Sequence, residues 1–69
     1  MSFNRRLTRA GHVHRFAVVH GREGWDVREE EDHVVLQRAR RKDWHRVERN
    51  IWLFTMTALA LEREGWIEN

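Results

Sequence analysis

The alternation of apolar and polar residues predicts three β-strands in the first two thirds of the chain. Three segments are rich in valine, phenylalanine and tryptophan, which favour extended backbone: residues 12–20, 25–29 and 34–40. Gly21 and Gly24 bracket a short turn after the first segment, and the acidic run at 30–33 separates the second from the third. The pattern therefore predicts a three-stranded antiparallel meander.

The two predicted turns agree on which face of this sheet is buried. A turn centred on residues 22–23 pairs Val18 with Val27, and a turn centred on residues 31–32 pairs Val27 with Leu36. Because a slip of one residue would exchange the two faces, the agreement favours one buried face that carries this row. The opposite face is predicted to show Arg15, Asp26, Arg28 and Gln37.

The last third of the chain predicts one long helix. Asp43 can cap a helix that begins at Trp44 and runs to about Glu64, and Gly65 suits the left-handed position that follows a helix. A core-facing stripe at helical spacing lies between these ends: Val47, Ile51, Phe54, Ala58 and Leu61. The predicted fold is α+β: a three-stranded antiparallel meander followed by one long C-terminal helix packed on one face (βββα).

The helix carries more apolar surface than one three-stranded sheet can cover. The surplus forms a second apolar surface: Trp52, Leu53, Met56, Leu59 and Ala60. We expect it to be the interface of a homodimer, the commonest arrangement of identical subunits. In the alternative, residues 1–10 fold back and cover this surface with Phe3 and Leu7 of the same chain. We otherwise interpret residues 1–10 as a mobile basic arm and residues 11–69 as one small domain.

Composition excludes several kinds of site. The chain of 69 residues has no cysteine, so it can form neither a disulfide nor a thiolate metal site. Three strand histidines, His12, His14 and His20, span about 27 Å at ~3.4 Å per residue and cannot converge on one ion. We therefore predict no metal and no cofactor. The apolar stretch 51–61 is too short to span a bilayer and the N-terminus lacks a signal-peptide core, so no membrane contact and a cytoplasmic location are expected.

Arginine dominates the basic residues, and a basic run crosses the predicted strand–helix junction. Seven residues there are candidates for binding nucleic acid, with the cations on phosphates and the tryptophan stacked on a base: Arg38, Arg40, Arg41, Lys42, Trp44, Arg46 and Arg49. A GC-rich genome, which favours arginine codons, would explain the same residues without a ligand. The acidic residues from Glu23 to Asp32 also count against a uniformly basic domain. Within this range, residues 29–32 form an acidic block. It is expected to be a solvated turn, apart from Glu29, which should face the helix and pair with Arg46 or another arginine.

The segment Gly11-His-Val-His14, followed by strand, turn and strand, is similar to the glycine-and-histidine strand of HicA-type mRNA interferase toxins. The resemblance covers about fifteen residues, and the helix that precedes that strand in these toxins is absent. It implies a toxin-like RNA-cleaving enzyme with His12 or His14 as general base. The rest of the sequence has no phosphate loop and few nucleophiles, so no catalytic residue is predicted. The leading hypothesis is a small intracellular, non-enzymatic binding or interaction protein that forms a homodimer, with nucleic-acid binding as the alternative.

Overall fold

The chain folds into one β-sheet, and one face of this sheet is covered by a capped helix. The computed structural model describes residues 2–69. The strands are β1 (Ser2–Arg9), β2 (His12–Gly21), β3 (Gly24–Glu31), β4 (Val34–Arg41) and β5 (Ile67–Glu68), and the helix α1 spans Trp44–Arg63. They form an antiparallel sheet in the order β4-β3-β2-β1-β5. The predicted α+β class is confirmed, but the three-stranded βββα arrangement is wrong.

The N-terminal segment is a strand, whereas the sequence analysis interpreted residues 1–10 as a mobile arm. β1 pairs along its length with β2, and Leu7, opposite His14, is fully buried. The connecting turn consists of Ala10 and Gly11, whose φ angles of 48° and 82° are both positive. A two-residue turn with two positive φ angles matches the twist of a hairpin. β1 therefore belongs to the same sheet as the rest of the domain; Met1 lies outside the described residues.

The predicted pairing of β2 with β3 is confirmed. Val18 lies opposite Val27 and His20 lies opposite Trp25, as expected for a turn centred on residues 22–23. Both valines are buried. The face that carries this row is the one that α1 covers, because the buried helix residues pack against the same cluster.

The predicted pairing of β3 with β4 is wrong by three residues. Val27 lies opposite Ala39, not Leu36. The turn falls at residues 32–33, one position later than predicted, which shifts the register by two, and a β-bulge in the ladder adds the third. Leu36 is consequently 53% exposed. Gln37, predicted on the opposite face, lies opposite Glu29 on the helix side.

The core forms between the covered sheet face and one stripe of α1. Its buried apolar members are Leu7, Phe16, Val18, Val27, Val47, Phe54 and Ala58. The rings of Phe16 and Phe54 lie 5.0 Å apart and join sheet to helix. Ile51 and Leu61, the other two residues of the predicted stripe, are half-buried against this cluster. The helical phase predicted from the sequence is thus confirmed.

Both predicted helix ends are confirmed. Asp43 accepts a hydrogen bond from the His45 amide through its Oδ1 at 3.0 Å. At the other end Gly65 has φ of 102°, and the amide of Trp66 donates to the Leu61 carbonyl at 3.0 Å. This is the bond pattern of a helix ended by a left-handed glycine. It turns the chain into β5, which pairs with β1.

No helix within residues 2–69 is both long enough and apolar enough to cross a lipid bilayer.

Candidate functional site

The sheet face opposite α1 is uncovered and rich in arginine. Strand alternation and cross-strand pairing place five arginines on it, called here the open face: Arg6, Arg15, Arg28, Arg38 and Arg40. Asp26 and Glu30 share the face with them, and Glu23 of the turn after β2 lies 3.0 Å from Arg40 Nη1 through its Oε2. The open face therefore carries a net positive charge.

Arginines face each other directly across neighbouring strands of the open face. Arg6 lies opposite Arg15 between β1 and β2, and Arg28 lies opposite Arg38 between β3 and β4. Side chains in such pairs have Cβ atoms only about 5 Å apart, and like charges there destabilise a sheet. Each pair also has a carboxylate neighbour on this face: Glu30 lies opposite Arg15, and Asp26 contacts both Arg28 and Arg38.

Carboxylates partly compensate one end of the open face. Asp26 Oδ2 lies 3.4 Å from Arg28 Nη2 and 3.3 Å from Arg38 Nη2. Glu30 Oε2 lies 3.3 Å from Arg28 Nη1. Asp26, Arg28 and Glu30 are half-buried, and their contacts of 3.3–3.4 Å are long for ion pairs. Pairs that keep access to solvent contribute about 1 kcal/mol or less, so a phosphate can compete with them.

A shallow groove of about 590 Å³ runs along the open face. Small residues, Ala17, Val19 and Gly21, line its floor, and Arg15, Arg28 and Arg40 are among its charged lining residues. Among the residues lining it there is no aromatic side chain. The groove offers guanidinium groups around a small apolar floor.

The basic residues predicted at the strand–helix junction do not share one surface. Arg38 and Arg40 alternate onto the open face, whereas Arg41, opposite Trp25, lies on the helix side and is half-buried. Lys42 is exposed beside the turn that joins β2 and β3. The strand part of the predicted site thus joins the arginines of β1, β2 and β3 rather than those of the helix.

The helical residues of the predicted nucleic-acid site, Trp44, Arg46 and Arg49, do not lie on the open face with Arg38 and Arg40. Trp44 is half-buried, and its ring lies 5.5 Å from that of Trp25, which in turn stacks on His20 at 4.5 Å. This packing occupies ring surface that base stacking would require. Arg46 and Arg49 are exposed on α1.

His14 lies in a polar cluster beneath the end of the helix. It is 5% exposed, with Nε2 2.7 Å from Glu29 Oε2 and Nδ1 3.3 Å from Glu31 Oε1. Gln37 Nε2 donates to the second oxygen of Glu29 at 2.6 Å. Glu29 faces the helix side as predicted, but its partners are His14 and Gln37 rather than an arginine. No group of three or more His, Cys, Asp or Glu side chains in residues 2–69 is placed to hold a metal ion.

His12 and Asp32 form an exposed ion pair at one end of the sheet. His12 Nδ1 lies 2.7 Å from Asp32 Oδ2, and Asp32 Oδ1 accepts a bond from the Val13 amide at 2.9 Å. The hydrogen bond to Asp32, assisted by its charge, raises the pKa of His12 above its ordinary value. The same hydrogen bond, with that from Val13, lowers the pKa of Asp32.

We predict that Asp32→Asn returns the pKa of His12 toward its ordinary value, which an NMR titration of the imidazole measures. His12 contributes stability that is present below its ordinary pKa and is lost as pH rises through the raised pKa. Asp32 contributes stability that is present above its ordinary pKa and is lost as pH falls through the lowered pKa. Both groups are therefore charged, and the ion pair is fully formed, at pH values between the lowered pKa of Asp32 and the raised pKa of His12. Glu31→Gln, a weaker and more distant influence, is the control; an unchanged His12 pKa in Asp32→Asn would refute the assignment.

The second apolar surface of α1, predicted as a dimer interface, faces solvent in the chain. Trp52 is 61% exposed, Met56 47%, Leu53 43% and Leu59 42%, and Ala60 is exposed beside them. Phe3 and Leu7, which the alternative prediction placed over this surface, pack into the core instead. That alternative is therefore wrong. The five residues are called here the outer helix surface.

The chain is a small α+β protein with one five-stranded antiparallel sheet and one helix. The outer helix surface is apolar and uncovered, and the open face of the sheet is rich in arginine and also uncovered. No protein-family model, no curated protein and no solved structure is significantly similar to the chain.

Proposed function

We propose that the chain is a small non-enzymatic binding protein whose working unit is a homodimer assembled through the outer helix surface. The observation that carries the proposal is the exposure of Trp52, Leu53, Met56 and Leu59 side by side on one helix. Full burial of a side chain of this size is worth roughly 1.5–3 kcal/mol. Several together can support a stable interface, and tryptophan is enriched where binding energy concentrates.

A second copy fits the outer helix surface better than an unrelated partner because the surface is self-complementary. When two copies of α1 cross antiparallel about a two-fold axis at Met56, residues four before and four after the axis meet. Trp52 then lies against Ala60 of the other copy, a large side chain against a small one. Leu53 and Leu59 meet in the same way. Each half of the surface thus supplies the shape that the other half needs.

Arg49 and Arg63 meet at the rim in this arrangement. Like charges in an exposed rim are screened by solvent and salt, so the repulsion is small. It does predict that the dimer tightens as ionic strength rises. An assembly held by ion pairs would weaken instead.

We predict that Trp52→Glu converts the dimer to a folded monomer. The variant places a carboxylate where the Trp52 ring would be buried in the dimer, and burying an unpaired charge there is unfavourable. Sedimentation velocity at micromolar concentration measures the change. Ile67→Glu introduces the same charge at another exposed apolar residue, on β5 away from the outer helix surface, and should leave the dimer intact. A wild-type monomer, or a Trp52→Glu variant that remains dimeric, would contradict the proposal.

A second variant distinguishes specific packing in the dimer from non-specific hydrophobic association. Ala60→Trp enlarges the exposed apolar surface, so non-specific association should strengthen. In the two-fold arrangement the new ring collides with Trp52 of the other copy, and overpacking of this kind costs ~1–3 kcal/mol at each of two symmetric sites. We therefore expect dimer affinity to fall at least tenfold, as measured by the concentration dependence of light scattering.

The other candidate functions have less support at the residues first suggested. A general base must come within hydrogen-bond reach of a substrate, and His14 is enclosed on the covered face between carboxylates and Trp66. RNA cleavage by His14 therefore gains no support. Nucleic-acid binding through the strand–helix junction would require residues that point to different sides of the sheet.

A further inference from the structure

We propose that the open face is a binding site for single-stranded nucleic acid. The site consists of Arg6, Arg15, Arg28, Arg38 and Arg40, of which Arg15, Arg28 and Arg40 line the groove with Ala17 and Val19. It differs from the strand–helix junction because three of its five arginines come from β1, β2 and β3, outside that run. It also lies on the opposite side of the molecule from the outer helix surface, so it is independent of the proposed homodimer.

The paired arginines are the first argument for an anionic ligand. Arg6 lies against Arg15, and within residues 2–69 neither guanidinium forms an ion pair, so their repulsion destabilises the sheet, whereas Arg28 and Arg38 share Asp26. An anion between Arg6 and Arg15 would remove their repulsion, and one beside Arg28 and Arg38 would take the place of Asp26. Phosphate suits this place because the planar guanidinium forms two parallel hydrogen bonds with its oxygens.

The arrangement of the pairs is the second argument. Arg6 and Arg15 form one row across β1 and β2, Arg28 and Arg38 lie one row further along on β3 and β4, and Arg40 lies in the next row. With strands about 4.8 Å apart and ~6.8 Å between rows on one face, this diagonal track is ~20 Å long. A track of several charges fits a linear polyanion rather than a single small anion.

The shape of the open face favours a single strand over a duplex. Four strands at about 4.8 Å spacing make a surface ~14 Å across, wider than the ~12 Å major groove of B-form DNA. A duplex could therefore touch the open face only with its outer backbone. A single strand can lie along the track with its phosphates on the arginines and its bases over Ala17 and Val19.

The contacts available predict binding without strong sequence preference. The groove lining contains no aromatic ring, so bases would stack on guanidinium planes, as arginine does in RNA recognition. Asp26 and Glu30 hold Arg28 in the free protein through half-buried ion pairs of 3.3–3.4 Å. These pairs keep the guanidinium on the face and are weak enough for a phosphate to displace.

The test uses fluorescence anisotropy of a labelled 20-nucleotide oligo-dT strand over a range of salt concentrations. For single strands the slope of log affinity against log salt is about −0.7 per phosphate contact. The double variant Arg15→Gln with Arg28→Gln should flatten the slope by about 1.4. The matched control, Arg9→Gln with Arg46→Gln, removes the same charge from exposed residues outside the open face and outside the outer helix surface and should leave the slope unchanged.

A stability measurement distinguishes loss of the site from loss of the fold. Arg6→Gln relieves the like-charged pair with Arg15 and leaves Arg15 opposite Glu30, so its thermal midpoint should equal or exceed that of the wild type while its oligo-dT affinity falls. Four results would overturn the proposal: no binding at low salt, equal losses in the control variant, tighter binding to a duplex of the same length, or binding to phosphatidylserine vesicles in place of oligo-dT.

Discussion

Replacing Phe54 with alanine is expected to remove much or all of the free energy of unfolding of the protein. Phe54 is 2% exposed, and its ring lies 5.0 Å from that of Phe16 at the centre of the sheet–helix contact. Truncating a buried phenylalanine costs about 3–5 kcal/mol, from lost transfer energy and from the cavity left behind. A chain of 69 residues has a total stability of only ~3–10 kcal/mol. The substitution therefore removes a large part, or all, of the free energy of unfolding.

Thr55→Ala is the matched control for Phe54→Ala. Thr55 is the next residue of α1 and is exposed, so the change removes no buried apolar group and exchanges threonine for a better helix former. Urea denaturation followed by circular dichroism, at one protein concentration for all variants, compares them. Similar midpoints for the two variants would mean that α1 packs through another face. A fixed concentration matters because dimerisation raises the apparent stability.

The elements with strong local signals were predictable from the sequence. Asp43 and Gly65 define the two ends of α1 through bonds made within a few residues, so no tertiary information is needed. The β2–β3 pairing was equally local, because a two-residue loop between Gly21 and Gly24 allows few registers. Hydrophobic periodicity then gave the phase of α1, which Phe54 and Ala58 confirm.

β1 was missed because its alternation is interrupted by a charge. Phe3, Arg5 and Leu7 lie on the covered side, and Arg5 looks like a break in an apolar pattern. Its side chain leaves the core edge by donating to both carboxylate oxygens of Glu68 at 3.1 Å through Nε. That partner lies 63 residues away, beyond the reach of any local pattern. The spacing of Phe3 and Leu7 was the one available signal.

The sequence predicted Arg15, Asp26 and Arg28 on the open face, but not the arginine pairs, because their members meet only through two further registers. Arg6 reaches Arg15 once β1 is recognised as a strand. Arg28 reaches Arg38 only with the correct turn at residues 32–33, where two residues without a glycine both adopt positive φ. Aspartate tolerates this conformation better than most residues, but the sequence analysis placed the turn one residue earlier. The outer helix surface depended on α1 alone and was therefore accessible from the sequence.

Gly24→Ala is expected to destabilise the protein strongly, although the change adds one methyl group. Gly24 begins β3 with φ of 119°, a conformation that side chains rarely adopt, and strain of this kind costs ~1–3 kcal/mol. A Cβ there would also overlap the backbone oxygen of Arg41 and lie 3.2 Å from its carbonyl carbon. Backbone atoms cannot rotate away as a side chain can, so the end of the β3–β4 ladder must move.

Gly21→Ala tests whether this effect belongs to position 24 and not to the hairpin in general. Gly21 lies opposite Gly24 across the same turn, but an added Cβ would meet only the Gly24 oxygen, at an ordinary 3.9 Å. Its change in stability should stay within about 0.5 kcal/mol, whereas Gly24→Ala should lose at least ~2 kcal/mol from strain and overlap together. Urea unfolding measures both, and amide exchange at Trp25 and Arg41 reports whether the ladder opens. Equal stability of the two variants would show that β4 does not approach Gly24, and the register that brings Arg28 opposite Arg38 would then be wrong as well.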